Sequence, residues 1–309
     1  MNPLVSVGIP TYNRPEGLRR TLEQITAQTY SHLEIIVSDN CSPSEEVKKI
    51  AEMFAAKDAR IKYYRQNSNM GMAFNFQFVL KKATGEYFMW ASDDDEWEPL
   101  FIETCLRTIK DAGLAMQSSF RTNHRAKNQF EVYNGPVLST ANHTFDNIIR
   151  FLQNVKPSIF YGLYRKEAIF DFTKIKYFDL FDVYFIIRTI LRYGINTFPE
   201  QLYTAGIDAD NYQFKSVNPK KNRLFNYDSF LKNTISEIFR CKHLTLKQKI
   251  ICAQVSFFKT LWSFTWLEKE IRPVQVIVVK NVLRTLIFAT NIFCKLIKGT
   301  NYYIVKENP

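Results

Sequence analysis

The stretch "LVSVGIPTYNRPEGLRRTLEQITAQTYSHLEIIVSDN", residues 4–40, decides the fold, because its apolar spacing changes from strand to helix and back to strand. The β-branched run at 4–8 predicts a strand, the apolar residues of 14–28 recur at helical spacing, and 34–38 predicts a second strand. When a helix connects two neighbouring strands of one sheet, the strands lie parallel and the connection is right-handed. This stretch therefore predicts the first unit of a parallel sheet.

The alternation of strands and helices continues along the chain. Ser42-Pro43-Ser44-Glu45 matches a capping box, so a helix is predicted to begin there. A strand is predicted at 61–66, a helix ending in glycine at 71–85, and a fourth strand at 87–91. We therefore expect an α/β fold with a Rossmann-like, mostly parallel sheet flanked by helices.

Polar loops follow each of these four predicted strands. They comprise residues 10–14, 39–40, 67–71 and 93–96. An open parallel sheet binds ligands outside the carboxyl ends of its strands, so all four loops should face one crevice. No G-x-G-x-x-G follows the first strand and no G-x-x-x-x-G-K-[ST] occurs, which argues against a dinucleotide dehydrogenase or a P-loop NTPase.

The fourth loop is unusually acidic: "WASDDDEW", residues 90–97, places four consecutive carboxylates between two tryptophans. Like charges this close are costly unless a cation or a hydrogen-bond network satisfies them. Mg²⁺ or Mn²⁺ is commonly held by one or two carboxylates and by substrate phosphates, which suits a metal–diphosphate complex. The alternative is a solvated loop that caps a helix beginning near Pro99. The position after the fourth strand favours the metal interpretation.

The charge of the chain is concentrated in its last third. The net charge is +11, and residues 215–309 contain 17 Lys/Arg against 5 Asp/Glu, a net of +12, so residues 1–214 sum to −1. We expect one domain over 1–214 and a basic, mainly helical region over 215–309. Such a region implies an anionic partner, and an anionic membrane surface is favoured because no nucleic-acid-binding motif accompanies the lysines.

The location of the protein is inferred from what its sequence contains. The first residues read as a strand and not as a signal peptide, and the five cysteines are scattered without a C-x-x-C pair, so a cytoplasmic protein is expected. The most apolar window, 273–298, is interrupted by Lys280 and Arg284, which disfavours a spanning helix. A basic amphipathic surface peripheral on the inner face of the cell membrane and an ordinary packed helical subdomain both stay open.

Five segments resemble, in order, the motifs of family 2 glycosyltransferases with the GT-A fold. They are "VSVGIPTYNRPEGLRRTL", "LEIIVSDNCS", "NSNMGMAFNF", "ATGEYFMWASDDDEWEP" and "FDVYFIIRTILRYG", and the resemblance covers roughly residues 3–210. It implies an inverting, metal-dependent transferase that moves a sugar from a nucleoside diphosphate donor to an acceptor hydroxyl. Residues 1–214 would then be its nucleotide-sugar-binding and catalytic domain.

The resemblance also implies roles for single residues. Pro10, Thr11, Tyr12 and Asp39 would hold the nucleotide base, and Asp39 would accept the imide N–H of uracil or thymine, which favours a UDP-sugar. In the family's DXD-type motif, Asp94 would contact the ribose and Asp95 the metal. Ser92 stands where a first aspartate is common, and Asp93 is the residue that would compensate. The expected nucleotide-binding set is completed by Arg14, Asn69, Gly71 and Asp93.

An inverting transferase needs one general base for the acceptor hydroxyl. Asp182 is the predicted base, because it precedes Arg188 by the six residues seen in the family. Asp179 is the competitor, and either residue could instead cap a helix. Relatives often carry a histidine where this chain has Asp208, which implies a different metal shell.

The acceptor implied by the family and by the basic tail is a glycan, in particular a lipid-linked oligosaccharide of bacterial surface polysaccharide (O-antigen or capsule) synthesis. A catalytically silent protein that binds a nucleotide sugar or an assembly partner at the membrane is the main alternative, because of the departures at Ser92 and Asp208. A nucleotidyltransferase is weaker, because the Asp39 loop and the lack of a glycine- and lysine-rich first loop argue against it.

Overall fold

The computed structural model describes residues 2–124, 129–178, 180–207 and 228–267, and it does not describe the side chains of residues 124, 129, 207, 228 and 258–267. These residues form two compact units. The first contains 2–124, 129–140, 157–177 and 193–207, and the second contains 141–156, 178, 180–192 and 228–267. The second unit thus includes two segments that precede residue 214, and the domain boundary placed there stays a prediction.

The strands of the described residues, in chain order, are β1 (Val5–Thr11), β2 (Leu33–Asp39), β3 (Ile61–Arg65), β4 (Tyr87–Trp90), β5 (Glu96–Trp97), β6 (Leu114–Gln117), β7 (Ser119–His124), β8 (Gln129–Asn134), β9 (Leu163–Arg165), β10 (Ile195–Phe198) and β11 (Tyr203–Ile207). The helices are α1 (Pro15–Thr26), α2 (Glu46–Lys57), α3 (Met72–Lys82), α4 (Phe101–Ile109), α5 (Thr144–Gln153), α6 (Lys166–Ile169), α7 (Phe181–Tyr193), α8 (Asp228–Arg240) and α9 (Leu246–Leu267).

The main sheet of the first unit confirms the expected mostly parallel α/β fold. Within the described chain it has seven strands in the order β10-β6-β9-β4-β1-β2-β3. The four strands predicted from the sequence, β1 to β4, pair in parallel, and only β9 runs antiparallel to its neighbours β4 and β6. Because β2 and β3 lie on one side of β1 and β4 lies on the other, the strand order reverses beside β1. A crevice is expected at the carboxyl ends of β1 and β4.

The core fixes the end of β4, from which the acidic loop emerges. Trp90, fully buried, stacks on Phe160 with ring centroids 4.7 Å apart, and its Nε1 donates a hydrogen bond to the carbonyl of Phe76 at 3.0 Å. Offset aromatic pairs of this kind add stability beyond the burial of area. The last residue of the strand is therefore anchored before the chain turns into the crevice.

The structure shows the starts of two predicted helices, and one of them differs from the prediction. Helix α2 begins at Glu46 rather than at the predicted capping box, because the Ser42 hydroxyl instead donates to Asp39 Oδ1 at 2.6 Å and accepts from the backbone N–H of Asn13 at 2.8 Å. The Ser42 oxygen thus accepts from the backbone of Asn13, where a capping residue would accept from a helix N–H, and no side-chain hydrogen bond caps α2. The helix expected near Pro99 is α4, which begins two residues after Pro99, and β5 lies between the acidic loop and this helix.

A second, smaller sheet in the first unit has the order β5-β11-β7-β8 among the described strands. Strand β11 is antiparallel to β5 and parallel to β7, and β8 is antiparallel to β7. Since β5 directly follows the acidic loop, the pairing of β5 with β11 fixes the exit of that loop.

The described part of the second unit is helical. Helix α9 packs against α8 and α5. Glu237 of α8 accepts hydrogen bonds from Arg192 of α7 at 2.7 and 2.8 Å, and also one from Tyr184. In the part of the chain that the structure covers, no helix is both long enough and apolar enough to cross a bilayer. The apolar window 273–298 lies outside the described residues.

Candidate active site

The loop after β1 contacts the loop after β4, as the switch-point rule predicts. Thr11 Oγ1 donates a hydrogen bond to Asp93 Oδ2 at 2.7 Å. Arg14 Nη1 lies 2.8 Å from Asp94 Oδ2 and 3.3 Å from Asp93 Oδ1. Four of the predicted nucleotide-binding residues therefore form one cluster. Arg14 thus supplies one positive charge to this loop from the chain itself, and the expectation of a divalent ion stays a prediction.

The electrostatics of the cluster follow from its burial. Burial raises the pKa of Asp93 to about 6, although the Arg14 charge and the Thr11 hydrogen bond both act to lower it. For Arg14, burial alone would lower the pKa, but the charges of Asp93 and Asp94 hold it above its ordinary value. The guanidinium thus stays charged while it faces two carboxylates.

Asp94 and the backbone of the loop are held by neighbouring polar groups. The hydroxyl of Ser92, which stands where a first aspartate was expected, donates a hydrogen bond to Asp94 Oδ1. Thr21 of α1 donates to the Ser92 carbonyl at 3.2 Å. The hydrogen bond from Ser92 therefore orients Asp94. A deprotonated aspartate in place of Ser92 could not make this bond, because it has no hydrogen to donate.

Asp95, the predicted metal ligand, is held by strand β11. Its Oδ2 accepts from the Tyr203 hydroxyl at 2.8 Å and its Oδ1 from the backbone N–H of Gly206 at 3.0 Å. Burial, reinforced by the Asp95 charge, raises the pKa of Tyr203 well above its ordinary value, so the phenol stays a neutral donor. The sequence did not identify Tyr203 as a site residue, because this contact spans more than a hundred positions.

Asp39 ends β2 and its side chain is fully buried. Its Oδ1 accepts from the backbone N–H and the hydroxyl of Ser42, and its Oδ2 accepts from the Tyr63 hydroxyl at 3.2 Å. Since Ser42 also binds the backbone of Asn13, Asp39 joins the end of β2 to the loop after β1. Its role in binding a nucleotide base stays a prediction.

The loop after β3 joins the same end of the sheet through Asn40. The Asn69 Oδ1 accepts from Asn40 Nδ2 and from the backbone N–H of Gly71, each at 2.9 Å. The backbone N–H of Asn40 in turn donates to the Thr11 carbonyl at 3.0 Å. Gly71 has φ +85°, a backbone conformation that glycine adopts without strain. Asn69 and Gly71 are therefore tied to the end of β1, and their role in nucleotide binding stays a prediction.

The remaining predicted residues lie in different surroundings. Pro10 is buried within β1, whereas Tyr12 is exposed at the start of the loop. Asp182 belongs to the second unit, where its Oδ1 accepts from the backbone N–H of Val183 at 2.9 Å and burial raises its pKa. Asp179 and Asp208 lie outside the described residues. The assignment of the base to Asp182 stays a prediction.

The residues present fit a divalent ion on chemical grounds. Among the residues that the structure describes, no group of three or more His, Cys, Asp or Glu side chains is arranged to hold a metal. A metal–nucleotide site does not require one, since Mg²⁺ usually takes only one or two carboxylates and completes its shell with phosphates and water. With Asp93 and Asp94 both paired to Arg14, Asp95 is the carboxylate of this loop best suited to that role.

Comparison of the sequence with known families and proteins identifies relatives of this chain. The model of glycosyl transferase family 2 matches residues 6–171. A predicted colanic acid biosynthesis glycosyl transferase of Escherichia coli, WcaA, is 28% identical over 62% of this chain and 68% of its own length. The GalNAc(5)-diNAcBac-PP-undecaprenol beta-1,3-glucosyltransferase of Campylobacter jejuni is 39% identical over 30% of each chain, so the match covers less than a third of that enzyme.

Solved structures share the fold at low identity. TarS of S. aureus in complex with UDP-GlcNAc aligns with a TM-score of 0.62 and 16% identity, over 91% of this chain and 81% of that one. The mannosyltransferase PcManGT of Pyrobaculum calidifontis, in complex with GDP-Man and Mn²⁺, aligns with a TM-score of 0.50 and 13% identity, over 97% and 88%. Since the family model also spans more than half of the sequence, the chain belongs to glycosyl transferase family 2 and is a glycosyltransferase with the GT-A fold.

Proposed function

We propose that this protein transfers a sugar, with inversion, from a nucleoside diphosphate donor to a hydroxyl of a glycan acceptor in surface polysaccharide (O-antigen or capsule) synthesis. The observation that carries the proposal is the contact between the loops after β1 and β4, where Thr11 and Arg14 bind Asp93 and Asp94. In parallel sheets, nucleotides bind at this switch point.

A UDP-sugar is the favoured donor. Asp39 would accept the imide N–H of uracil, with Pro10, Thr11 and Tyr12 beside the base. Asp94 would bind the ribose and Arg14 would place a positive charge near the diphosphate. The UDP-GlcNAc complex of TarS, a protein of the same fold, is consistent with such a donor.

Asp95 would hold Mn²⁺ or Mg²⁺ together with the donor diphosphate. Such an ion, when bound, stabilises the negative charge of the departing diphosphate as a Lewis acid. The Mn²⁺ complex of a mannosyltransferase of this fold supports the choice of metal. Asp182 would take the proton of the acceptor hydroxyl, and its raised pKa would make it a stronger base than an exposed aspartate.

The acceptor would be a glycan on a membrane lipid, and the second unit would contact the membrane. Leu246, Ile250 and Phe257 of α9 recur at helical spacing and are exposed, with Leu246 at 67%. Residues 238–257 contain four Lys/Arg and no Asp/Glu. An exposed apolar row among basic side chains suits the surface of an anionic bilayer. The three residues of this row, Leu246, Ile250 and Phe257, are called the α9 stripe below.

Donor turnover tests the enzymatic part of the proposal. The purified protein, given UDP-sugars, Mn²⁺ and a panel of glycan acceptors, should release UDP, and a chelator should abolish the release. Asp95→Asn should lose this activity, whereas Asp111→Asn, at an exposed aspartate of a turn, should keep it. Full chelator-sensitive transfer by Asp95→Asn would refute the metal role, and donor binding without turnover would favour the catalytically silent alternative.

A further inference from the structure

The side chain of Gln117 joins the start of β11 to β6 of the main sheet. Gln117, at the end of β6, is 1% exposed. Its Oε1 accepts from the backbone N–H groups of Leu202 and Tyr203 at 2.5 and 2.8 Å, and its Nε2 donates to the Tyr203 carbonyl at 2.8 Å. The side-chain amide of Gln117 thus makes the hydrogen bonds to β11 that the backbone of a neighbouring strand would otherwise make.

The ring of Tyr203 is confined as firmly as its backbone. Tyr203 is 1% exposed, and its ring centroid lies 5.8 Å from that of Trp97, 6.2 Å from Tyr161 and 6.4 Å from Phe101. A ring enclosed on three sides has no alternative rotamer at low cost. Its hydroxyl therefore points in one direction, and that direction is the carboxylate of Asp95.

We infer that Tyr203 is a positioning residue for Asp95 and that Gln117 acts through Tyr203. The hydroxyl of Tyr203 and the backbone N–H of Gly206 each bind one oxygen of the carboxylate, which fixes the plane of Asp95 before any ligand arrives. Groups that orient a metal ligand in this way commonly change metal affinity tenfold or more when removed. The inference rests on the proposed role of Asp95 toward the metal.

Two tyrosines provide a matched comparison. Tyr164 is also fully buried, but its hydroxyl donates to the backbone carbonyl of Phe160 at 2.9 Å. Tyr203→Phe and Tyr164→Phe each remove one buried hydroxyl, so a merely structural role predicts similar losses of thermal stability and no change in metal binding. A positioning role predicts weaker metal binding for Tyr203→Phe alone.

The experiment titrates Mn²⁺ into the full-length protein with UDP as the probe and follows free Mn²⁺ by electron paramagnetic resonance. We expect the Mn²⁺ dissociation constant of Tyr203→Phe to rise about tenfold, that of Gln117→Met to rise in the same direction, and that of Tyr164→Phe to be unchanged. Donor turnover by Tyr203→Phe should recover as Mn²⁺ is raised, which separates weaker metal binding from a loss of chemistry.

Equal Mn²⁺ affinity in the wild type and Tyr203→Phe would overturn the inference and leave the proposed function intact. Absence of Mn²⁺ binding by the wild type with UDP would overturn both. If Gln117→Met does not fold, Tyr203→Phe decides alone, since it keeps the ring and its aromatic contacts.

Discussion

Gly17 of α1 lies directly against Asp93: a Cβ atom added to Gly17 would be 2.1 Å from the Asp93 carbonyl oxygen. No side chain fits in this space, because the obstacle is backbone. The close approach explains how α1 and the acidic loop can share hydrogen bonds, such as that of Thr21 with Ser92. The first helix of the fold thereby sets the position of the loop proposed to bind the donor.

Gly17→Ala should displace the acidic loop. Alanine in an exposed helix interior would stabilise by about 1 kcal/mol relative to glycine. Here we expect the opposite sign, a loss of about 1–3 kcal/mol by urea denaturation, because the loop backbone must move. UDP affinity measured by calorimetry should fall as well.

Gly85→Ala is the control for this substitution. Its Cβ would also meet backbone, the Leu4 carbonyl oxygen at 2.6 Å, but Gly85 precedes β4 whereas the acidic loop follows that strand. It should lower stability and leave the UDP affinity of the folded protein unchanged. If the two alanine variants weakened UDP binding equally, the position of the loop would not depend on Gly17.

Arg14→Gln should destabilise the protein, because it leaves Asp93 and Asp94 without their counter-charge. Removing one partner of a buried ion pair costs about 3–5 kcal/mol, and we expect about 1–3 kcal/mol here because Arg14 and Asp94 are partly exposed. The measurement is the free energy of unfolding in urea. Arg19→Gln breaks only a surface pair with Glu16 and should stay within about 0.5 kcal/mol of the wild type. Equal stability of the two variants would contradict a structural role for the Arg14 cluster.

Local signals made the parallel half of the fold predictable. The apolar spacing of β1, α1 and β2 is a short-range property, and the switch-point rule then placed Thr11 and Asp93 at the same edge of the sheet. Their hydrogen bond follows from that geometry. The strands β6, β9 and β10 of the same sheet were not assigned, and β9 in particular is three residues long and antiparallel to both of its neighbours.

The support of the site could not be predicted from the sequence. The contacts of Gln117 with Tyr203 and of Tyr203 with Asp95 join positions about a hundred residues apart, and no periodicity records them. Ser42 illustrates the converse. It matches a local capping motif, but its hydroxyl donates to the Asp39 carboxylate and its oxygen accepts from the backbone N–H of Asn13, 29 positions away.

Glu34 should make stability depend on pH. Burial alone would raise its pKa, but hydrogen bonds from Lys62, Thr84 and Ser6 hold it below its ordinary value. A lowered folded-state pKa contributes stability that is complete above the unfolded-state value of about 4.3 and is lost as pH falls through the folded-state value.

The stability difference between wild type and Glu34→Gln should therefore be constant near about pH 7 and shrink below about pH 4. Urea denaturation across this range measures it. Glu52→Gln, at an exposed glutamate of α2, should show no such change. A difference for Glu34→Gln that does not vary with pH would show that ionisation of this carboxylate is not what stabilises the fold.

Asp182→Asn should reduce kcat while leaving donor affinity nearly unchanged, because a general base acts on the acceptor. Since burial raises the pKa of Asp182, the wild-type rate should fall with decreasing pH at a value above the ordinary aspartate pKa of about 3.9. Steady-state kinetics against pH measure both effects, and Asp179→Asn is the comparison. A full loss with Asp179→Asn and normal activity with Asp182→Asn would assign the base to the competitor.

The α9 stripe should bind anionic bilayers. Full-length protein should co-sediment with phosphatidylcholine vesicles only when they contain phosphatidylglycerol. Lys242→Gln combined with Lys247→Gln should weaken binding about fivefold per lysine, because each basic residue near such a surface contributes about 1 kcal/mol. Leu246→Ser should weaken vesicle binding further by removing apolar contact.

Lys57→Gln combined with Lys81→Gln is the control, since both are exposed lysines of the first unit, and it should leave vesicle binding unchanged. UDP release with a water-soluble acceptor should be unchanged in all of these variants. Vesicle binding that is insensitive to both Leu246→Ser and the Lys242/Lys247 pair would place the membrane contact elsewhere in the chain.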